Sequence, residues 1–294
     1  MRQRLLCATD LTTRSDHAVM RAAQLARQMD AEVLFLHAVD ETQPGRVIRM
    51  KTNRAQLRLL SQSERAMRHA PQDAEVTVRL GKPLQAIAEA AREWNPDLIV
   101  MAAPKRRRLD LLIGTTAERV IRATQRPVLI VTSAGQQPYD NVVLATDLSS
   151  TSVHVARTVT GMGMLANAYA WIVHAFEPAY QGMIATTAWT EDQALEHKRQ
   201  WREALSRELL RELDQTGVDL SRVQVSAEEA RPLDAIRRTI ERVEPQLLVI
   251  GASRWFMLKR ILFGSVADQV LRTIDCDILA ISPPATRRSW ARAA

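Results

Sequence analysis

Cysteine is nearly absent: the 294 residues hold two, Cys7 and Cys276. Neither belongs to a Cys-x-x-Cys pair, which argues against metal binding and redox chemistry. Both read as small buried hydrophobes, Cys7 inside an apolar strand pattern and Cys276 just before the last strand. Aromatic residues are also scarce, at 4 %. No zinc-finger, RRM or helix-turn-helix signature accompanies them, so sequence-specific nucleic-acid binding is not expected. Trp94, Trp189, Trp201 and Trp255 are too far apart for a stacking platform and read as core or interface. No apolar run approaches the roughly 18 residues of a membrane-spanning helix. Met1-Arg2-Gln3-Arg4 runs straight into a strand without a secretory h-region. The expected compartment is the cytosol, with no membrane partner. No G-x-x-x-x-G-K-[ST] occurs, which excludes a P-loop.

What is present is a repeat. Ala8-Thr9-Asp10-Leu11 returns 137 residues later as Ala145-Thr146-Asp147-Leu148. The same shift lays Ser15 on Ser152, His17 on His154 and His37-Ala38 on His174-Ala175. A shift of 149 lays Pro83-Leu84 on Pro232-Leu233, Ile87 on Ile236 and Pro96 on Pro245. So long a period means two copies of one domain rather than a solenoid. The chain length and the 46 % hydrophobic content suit two full cores. The net charge of +7 favours anionic partners: nucleotides, nucleic acid, acidic proteins or lipid headgroups.

Each copy alternates short apolar runs with helical patterns. In copy one, strands are predicted at Arg4–Thr9, Glu32–Val39, Glu75–Leu80, Asp97–Ala102 and Pro127–Thr132. Thr12, Thr13 and Ser15 are N-cap candidates for a first helix striped by Ala18, Ala22, Leu25, Ala26 and Met29. Further helices are predicted at Arg54–His69, from Pro83 to about Trp94, and at Thr115–Thr124. In copy two the strands are Asn141–Thr146, Tyr169–Phe176, Arg222–Ser226, Gln246–Gly251 and Asp277–Ser282. Its helices fall near Ser152–Leu165, Glu191–Leu213, Leu233–Val243 and Ser265–Ile274. Such alternation implies an α/β fold, a parallel sheet covered on both faces. The boundaries are 1–134 for the first domain and 139–283 for the second. Residues 284–294, with Arg287, Arg288 and Arg292, form a basic tail expected to be disordered. Copy two carries 12 extra residues between Glu177 and about Ser221, a segment holding Tyr180, Met183, Ile184 and Trp189. It is either a lid over a crevice or a longer loop and helix packed on the sister domain.

In an open parallel sheet, ligands bind beyond the carboxyl ends of the strands, where strand order reverses. Asp10 and Asp147 end the first strand of each copy and reach that crevice. Such a carboxylate accepts from an adenine amino group or a ribose hydroxyl, or it serves as a cap or turn residue. After the fourth strand, copy two reads Gly251-Ala252-Ser253-Arg254, nine further residues, then Gly264-Ser265-Val266. Glycine lets backbone N–H groups approach a phosphate, and a Gly-Ser pair opening a helix adds a hydroxyl and the helix N-terminus. Lys105-Arg106-Arg107-Arg108 reads as a solvated loop, or as an anion-binding or partner-docking one. His17 and His154 lack any triad or metal-ligand spacing around them.

Taken together, Ala-Thr-Asp-Leu, His-Ala, Gly81-Lys-Pro-Leu-x-x-Ile87 with its echo at 230–236, and Gly114-Thr115-Thr-Ala-Glu-Arg-Val-Ile with its echo from Gly264 resemble the universal stress protein family. The resemblance covers nearly the whole chain. It implies two tandem doubly wound domains, each a five-stranded parallel sheet with helices on both faces, adenine nucleotide alpha hydrolase-like. Nucleotide-binding members carry G-x2-G-x9-G-[ST]. Copy two keeps Gly251, Gly264 and Ser265 in register, with Arg254 for the middle glycine. Copy one has Ala102 and Lys105 in place of the first two glycines and one residue fewer before Gly114. A Cβ where backbone must meet phosphate is an obstacle; Arg254 either offers a compensating cation, fills an empty pocket or pairs with a carboxylate.

The resemblance therefore implies a non-catalytic stress-response protein. Its second domain is expected to bind ATP, with Mg, through Asp147, Gly251, Ser253, Arg254, Gly264, Ser265 and Val266. Domain 1 retains the weaker set Asp10, Gly114 and Thr115. The alternative is a nucleotide-free interaction scaffold or a binder of an apolar small molecule. The fifth strands are expected to pair the copies as a pseudo-dimer through Val128–Val131 and Ile278–Ile281, and two chains to associate further as a homodimer.

Overall fold

The computed structural model describes residues 2–42, 44–68, 73–103, 116–132, 137–147, 150–176, 217–251 and 274–282, with residue 270 and isolated positions between 193 and 215. In copy one the elements are β1 (Arg4–Ala8), α1 (Thr13–Met29), β2 (Glu32–Val39), α2 (Gly45–Met67), β3 (Ala74–Leu80), α3 (Pro83–Trp94), β4 (Leu98–Ala102), α4 (Thr116–Thr124) and β5 (Val128–Val131). Copy two follows with β6 (Asn141–Thr146), α5 (Ser150–Gly161), β7 (Tyr169–Phe176), β8 (Val223–Glu229), α6 (Pro232–Val243), β9 (Leu247–Gly251) and β10 (Asp277–Ile281). The described positions between 193 and 214 are helical.

The proline and cap signals account for several boundaries. Pro83 and Pro232 stand in the first turns of α3 and α6, where a missing N–H costs nothing. Asn95 and Glu244 close the same helices in the left-handed conformation, and Pro96 and Pro245 then prevent continuation. One boundary differs markedly from expectation: α2 begins at Gly45, nine residues before Arg54. Its first turns carry no fully buried stripe, since the buried positions start at Ala55. A core-facing period was therefore missing where the helix starts.

All ten strands form one sheet in the order β3-β2-β1-β4-β5-β10-β9-β6-β7-β8. Within each copy the five strands are parallel. The copies join antiparallel through β5 and β10, with Ile130 opposite Ile278 and Leu129 opposite Leu279. One buried cluster lies under α1, α2 and α5, another under α3, α4 and α6, and each runs through both copies without a break. Alternation along β1 feeds both: Leu5 and Cys7 enter the first cluster, Leu6 the second.

Polar contacts reinforce the joint on one face. Arg21 of α1 and Asp277 at the start of β10 are 3 % and 0 % exposed, with Nε 3.3 Å from Oδ2. Arg21 Nη1 donates to the Gln137 carbonyl at 2.7 Å and to Gln24 Oε1 at 3.1 Å. The Tyr139 ring lies under the guanidinium at 4.3 Å, and its hydroxyl donates to Asp277 Oδ2 at 2.9 Å. The Thr132 N–H also donates to Asp277 Oδ1, at 2.8 Å. The strand registers place Pro127 in copy one where Asp277 stands in copy two, and the repeat shift places Thr158 where Arg21 stands. The lock thus exists on one side of the pseudo-twofold relation.

Candidate functional site

Strand order reverses between β1 and β4 in copy one and between β6 and β9 in copy two. In copy one, a cavity of about 450 Å³ opens over these strand ends, lined by Asp10, Arg14, His37, Ala102 and Thr116 among others. That volume lies in the range of small-molecule sites, about 300–1,000 Å³. Much of its wall is small or apolar, including Ala8, Leu36, Ala38, Ile87, Met101 and Ala103.

The loop from β1 to α1 is held in one shape. Asp10 Oδ1 accepts from the Thr12 N–H at 3.0 Å, from the Thr12 hydroxyl at 2.5 Å and from the Ser15 hydroxyl. The Ser15 oxygen in turn accepts from the Asp10 N–H at 3.1 Å. Leu11 adopts the left-handed conformation, φ 59°, unusual for a side chain of its size. Its N–H donates to Thr9 Oγ1 at 3.0 Å and its carbonyl accepts from Arg58 of α2 at 3.1 Å. Desolvation pushes the Asp10 carboxyl up, but the donors Ser15 and Thr12 and the charge of Arg14 outweigh it and hold the pKa below the ordinary value. Asp10 is therefore an ionised turn residue, and all three of these bonds fall on one of its two oxygens.

A histidine braces the same loop from the neighbouring strand. His37 Nδ1 lies 2.8 Å from the Thr9 carbonyl. A carbonyl only accepts, so Nδ1 carries the proton, and in the neutral ring Nε2 bears the lone pair. Copy two repeats the device: His174 Nδ1 lies 2.9 Å from the Thr146 carbonyl, and the Ser152 hydroxyl donates to Asp147 Oδ1 at 2.9 Å. Ser15 is one of three cap candidates with Thr12 and Thr13. The structure shows it gripping Asp10 instead, while Thr12 occupies the N-cap without a side-chain cap bond. The recurrence of Asp, Ser and His at one shift is the signal for this brace, though periodicity alone does not say that the serine holds the carboxylate and the histidine the preceding carbonyl.

Gly251 ends β9 opposite Ile281. Ser253, Arg254, Gly264, Ser265 and Val266 lie outside the described residues, as do Gly114, Thr115, Lys105–Arg108 and the segment with Tyr180, Met183, Ile184 and Trp189. Among the described residues no cluster of three or more His, Cys, Asp or Glu is arranged to hold a metal ion, and no helix is long and apolar enough to cross a membrane.

The model of the universal stress protein family matches residues 1–132 and again 138–282. The chain belongs to the universal stress protein family. It carries the family's domain in tandem, on the α/β fold that the resemblance implied. A universal stress protein of Methanocaldococcus jannaschii is 25 % identical over 151 residues, 51 % of this chain and 86 % of that one. Universal stress protein A homolog 2 of Coxiella burnetii is 25 % identical over 141 residues, 45 % of this chain and 97 % of that one. The crystal structure of a universal stress protein from Archaeoglobus fulgidus has a TM-score of 0.67 at 18 % identity, covering 95 % of this chain and 98 % of its own. A Pseudomonas aeruginosa protein described as functionally unknown has a TM-score of 0.63 at 17 % identity, covering 96 % and 93 %. These two likenesses show the fold.

Proposed function

We infer that this tandem universal stress protein is a cytosolic, non-catalytic factor that binds adenine nucleotide in its second domain. The observation that carries the reading is the shared brace. In both copies a serine grips the strand-end aspartate and a histidine grips the carbonyl before it. Each aspartate is thereby fixed just beyond its first strand, at the strand-order reversal, where in copy one it lines the cavity of about 450 Å³. In the second domain Asp147 takes the adenine or ribose side. Gly251, Ser253, Arg254, Gly264, Ser265 and Val266 take the phosphates, with Mg entering on the nucleotide. In the first domain Asp10 is equally placed, but Ala102 puts a Cβ at the end of β4 where Gly251 has none. Gly114 and Thr115 are what remains there of a phosphate cradle.

The test is calorimetric titration of the intact protein with ATP, with and without Mg²⁺. Binding should weaken by about tenfold or more in Asp147→Ala, the loss expected for hydrogen bonds to a charged acceptor. Failure of the wild type to bind at millimolar ATP rejects the reading. A second reading is favoured for the first domain alone: the apolar wall of its cavity suits an apolar small molecule. Native mass spectrometry of freshly purified protein separates the two, through a co-purified nucleotide or a lipid-like ligand.

A further inference from the structure

Among the described residues five large hydrophobic side chains are exposed, and three of them, Met50, Leu57 and Leu60, belong to α2. Intervals of seven and three place them along one face of a helix. Leu59 and Ala66, on the opposite side, are buried in the core. Arg46, Arg49 and Arg54 are exposed around the row, and Arg46 and Arg54 fall within about 40° of Met50 on a helical wheel. Over Gly45–Met67 six Arg or Lys stand against one acid, Glu64, a net +5 on a single helix in a chain of net +7. The helix packs over β2 and β3, and β3 is an end strand of the sheet. The face therefore lies at the far edge of the first domain from the β5–β10 joint.

The chemistry of the face selects its partner. A second copy presenting the same +5 surface is repelled. Duplex phosphates would satisfy the arginines but leave three aliphatic chains without an apolar partner, and for a single strand the face offers no aromatic ring on which bases could stack. An anionic bilayer surface satisfies both: aliphatic tips enter the acyl boundary while guanidinium groups stay at the headgroups. We propose that α2 docks the folded protein on anionic lipid bilayers, with Met50, Leu57 and Leu60 inserted and Arg46, Arg49 and Arg54 on the headgroups. This site is separate from the nucleotide crevices and stands whether or not they bind ATP.

Co-sedimentation of the full-length protein with phosphatidylcholine vesicles, with and without phosphatidylglycerol, tests it. Binding is expected only with phosphatidylglycerol and should weaken as salt rises. Leu57→Gln, at the most exposed position of the row, should lower partition severalfold, and Met50→Gln/Leu57→Gln/Leu60→Gln by about tenfold or more, with the charge unchanged. Arg46→Glu/Arg54→Glu should lower it by about tenfold or more with the apolar row intact. The proposal is overturned if phosphatidylglycerol vesicles fail to retain the wild type at low salt. It is equally overturned if the glutamine variants bind as the wild type does, which makes the attraction one of charge alone. Binding of a DNA duplex that is lost in the Arg46/Arg54 variant, without vesicle binding, assigns the face to nucleic acid and also overturns it.

Discussion

Arg21→Met removes the cation from the buried lock between the two copies. The methionine keeps most of the aliphatic stem, so packing changes little and the charge is what is lost. Asp277, fully buried, then loses the guanidinium beside it. Removing one partner of a buried pair costs about 3–5 kcal/mol. Two features put this case at the lower end. Arg21 Nε finds no aligned hydrogen-bond acceptor, so its approach to Asp277 is a charge contact. Asp277 also keeps donors from the Tyr139 hydroxyl and the Thr132 N–H, which solvate its charge in place of water. The expected loss is about 3 kcal/mol, or about 6–12 °C in melting temperature for a cooperative unit of this size. Scanning calorimetry and urea unfolding read it, and unequal losses in the two halves would appear as a split transition. Arg199→Met, which breaks an exposed pair with Glu196 and Glu203, is the control and should leave the melt unchanged. A shift below about 2 °C in Arg21→Met would refute the reasoning.

Tyr139 gives an alkaline counterpart: burial first, and then the charge of Asp277, push its phenol well above the ordinary value. Its contribution to stability is fully present below the unfolded phenol pKa, about 10, and drains away as pH rises toward the folded one. Tyr139→Phe should therefore flatten the fall of the urea midpoint above about pH 10, and an unchanged slope counts against the burial argument. Ser15→Ala should cost about 1 kcal/mol at this partly exposed turn and let the Asp10 carboxyl rise toward its ordinary value, read by NMR titration. Because the folded Asp10 pKa is depressed, the wild type holds that contribution above about pH 4 and loses it as pH falls further; the variant should lose less on acidification. Leu279→Asp puts a charge into the β5–β10 joint, where Leu279 is fully buried. Amide protection in those two strands should collapse before that in β1 and β6, and hydrogen exchange with mass spectrometry would show whether it does.

The fold was largely legible. Buried parallel strands announce themselves as short apolar runs, and the limits of β2, β6, β7 and α3 coincide with those read from the sequence. The start of α2 was not legible, because its first turns face solvent with Met50 and lack the buried stripe on which the reading depends. The site was legible in residue choice more than in geometry. Recurrence marked Asp10, Ser15 and His37 with their partners in copy two, but the meeting of a first-turn helix serine with a strand-end carboxylate is set by the turn at Leu11. The Arg21–Asp277 contact left no trace in the repeat, since neither residue recurs and the pair spans the whole chain.

That unpaired lock bears on how the two domains were free to diverge. In a dimer of identical chains each substitution appears on both sides of the axis, so an arginine gained on the first helix must be tolerated twice. Here the antiparallel joint lies within one polypeptide, and each half meets its counterpart at a fixed one-to-one ratio whatever the protein concentration. No exchange of halves in solution can produce a pair of two first domains or two second ones. A residue such as Arg21 can then answer Asp277 once, with Thr158 and Pro127 left neutral at the mirrored place. The tether turns a symmetric assembly into a heterodimer by inheritance, in which one domain can give up its glycines without depriving the other.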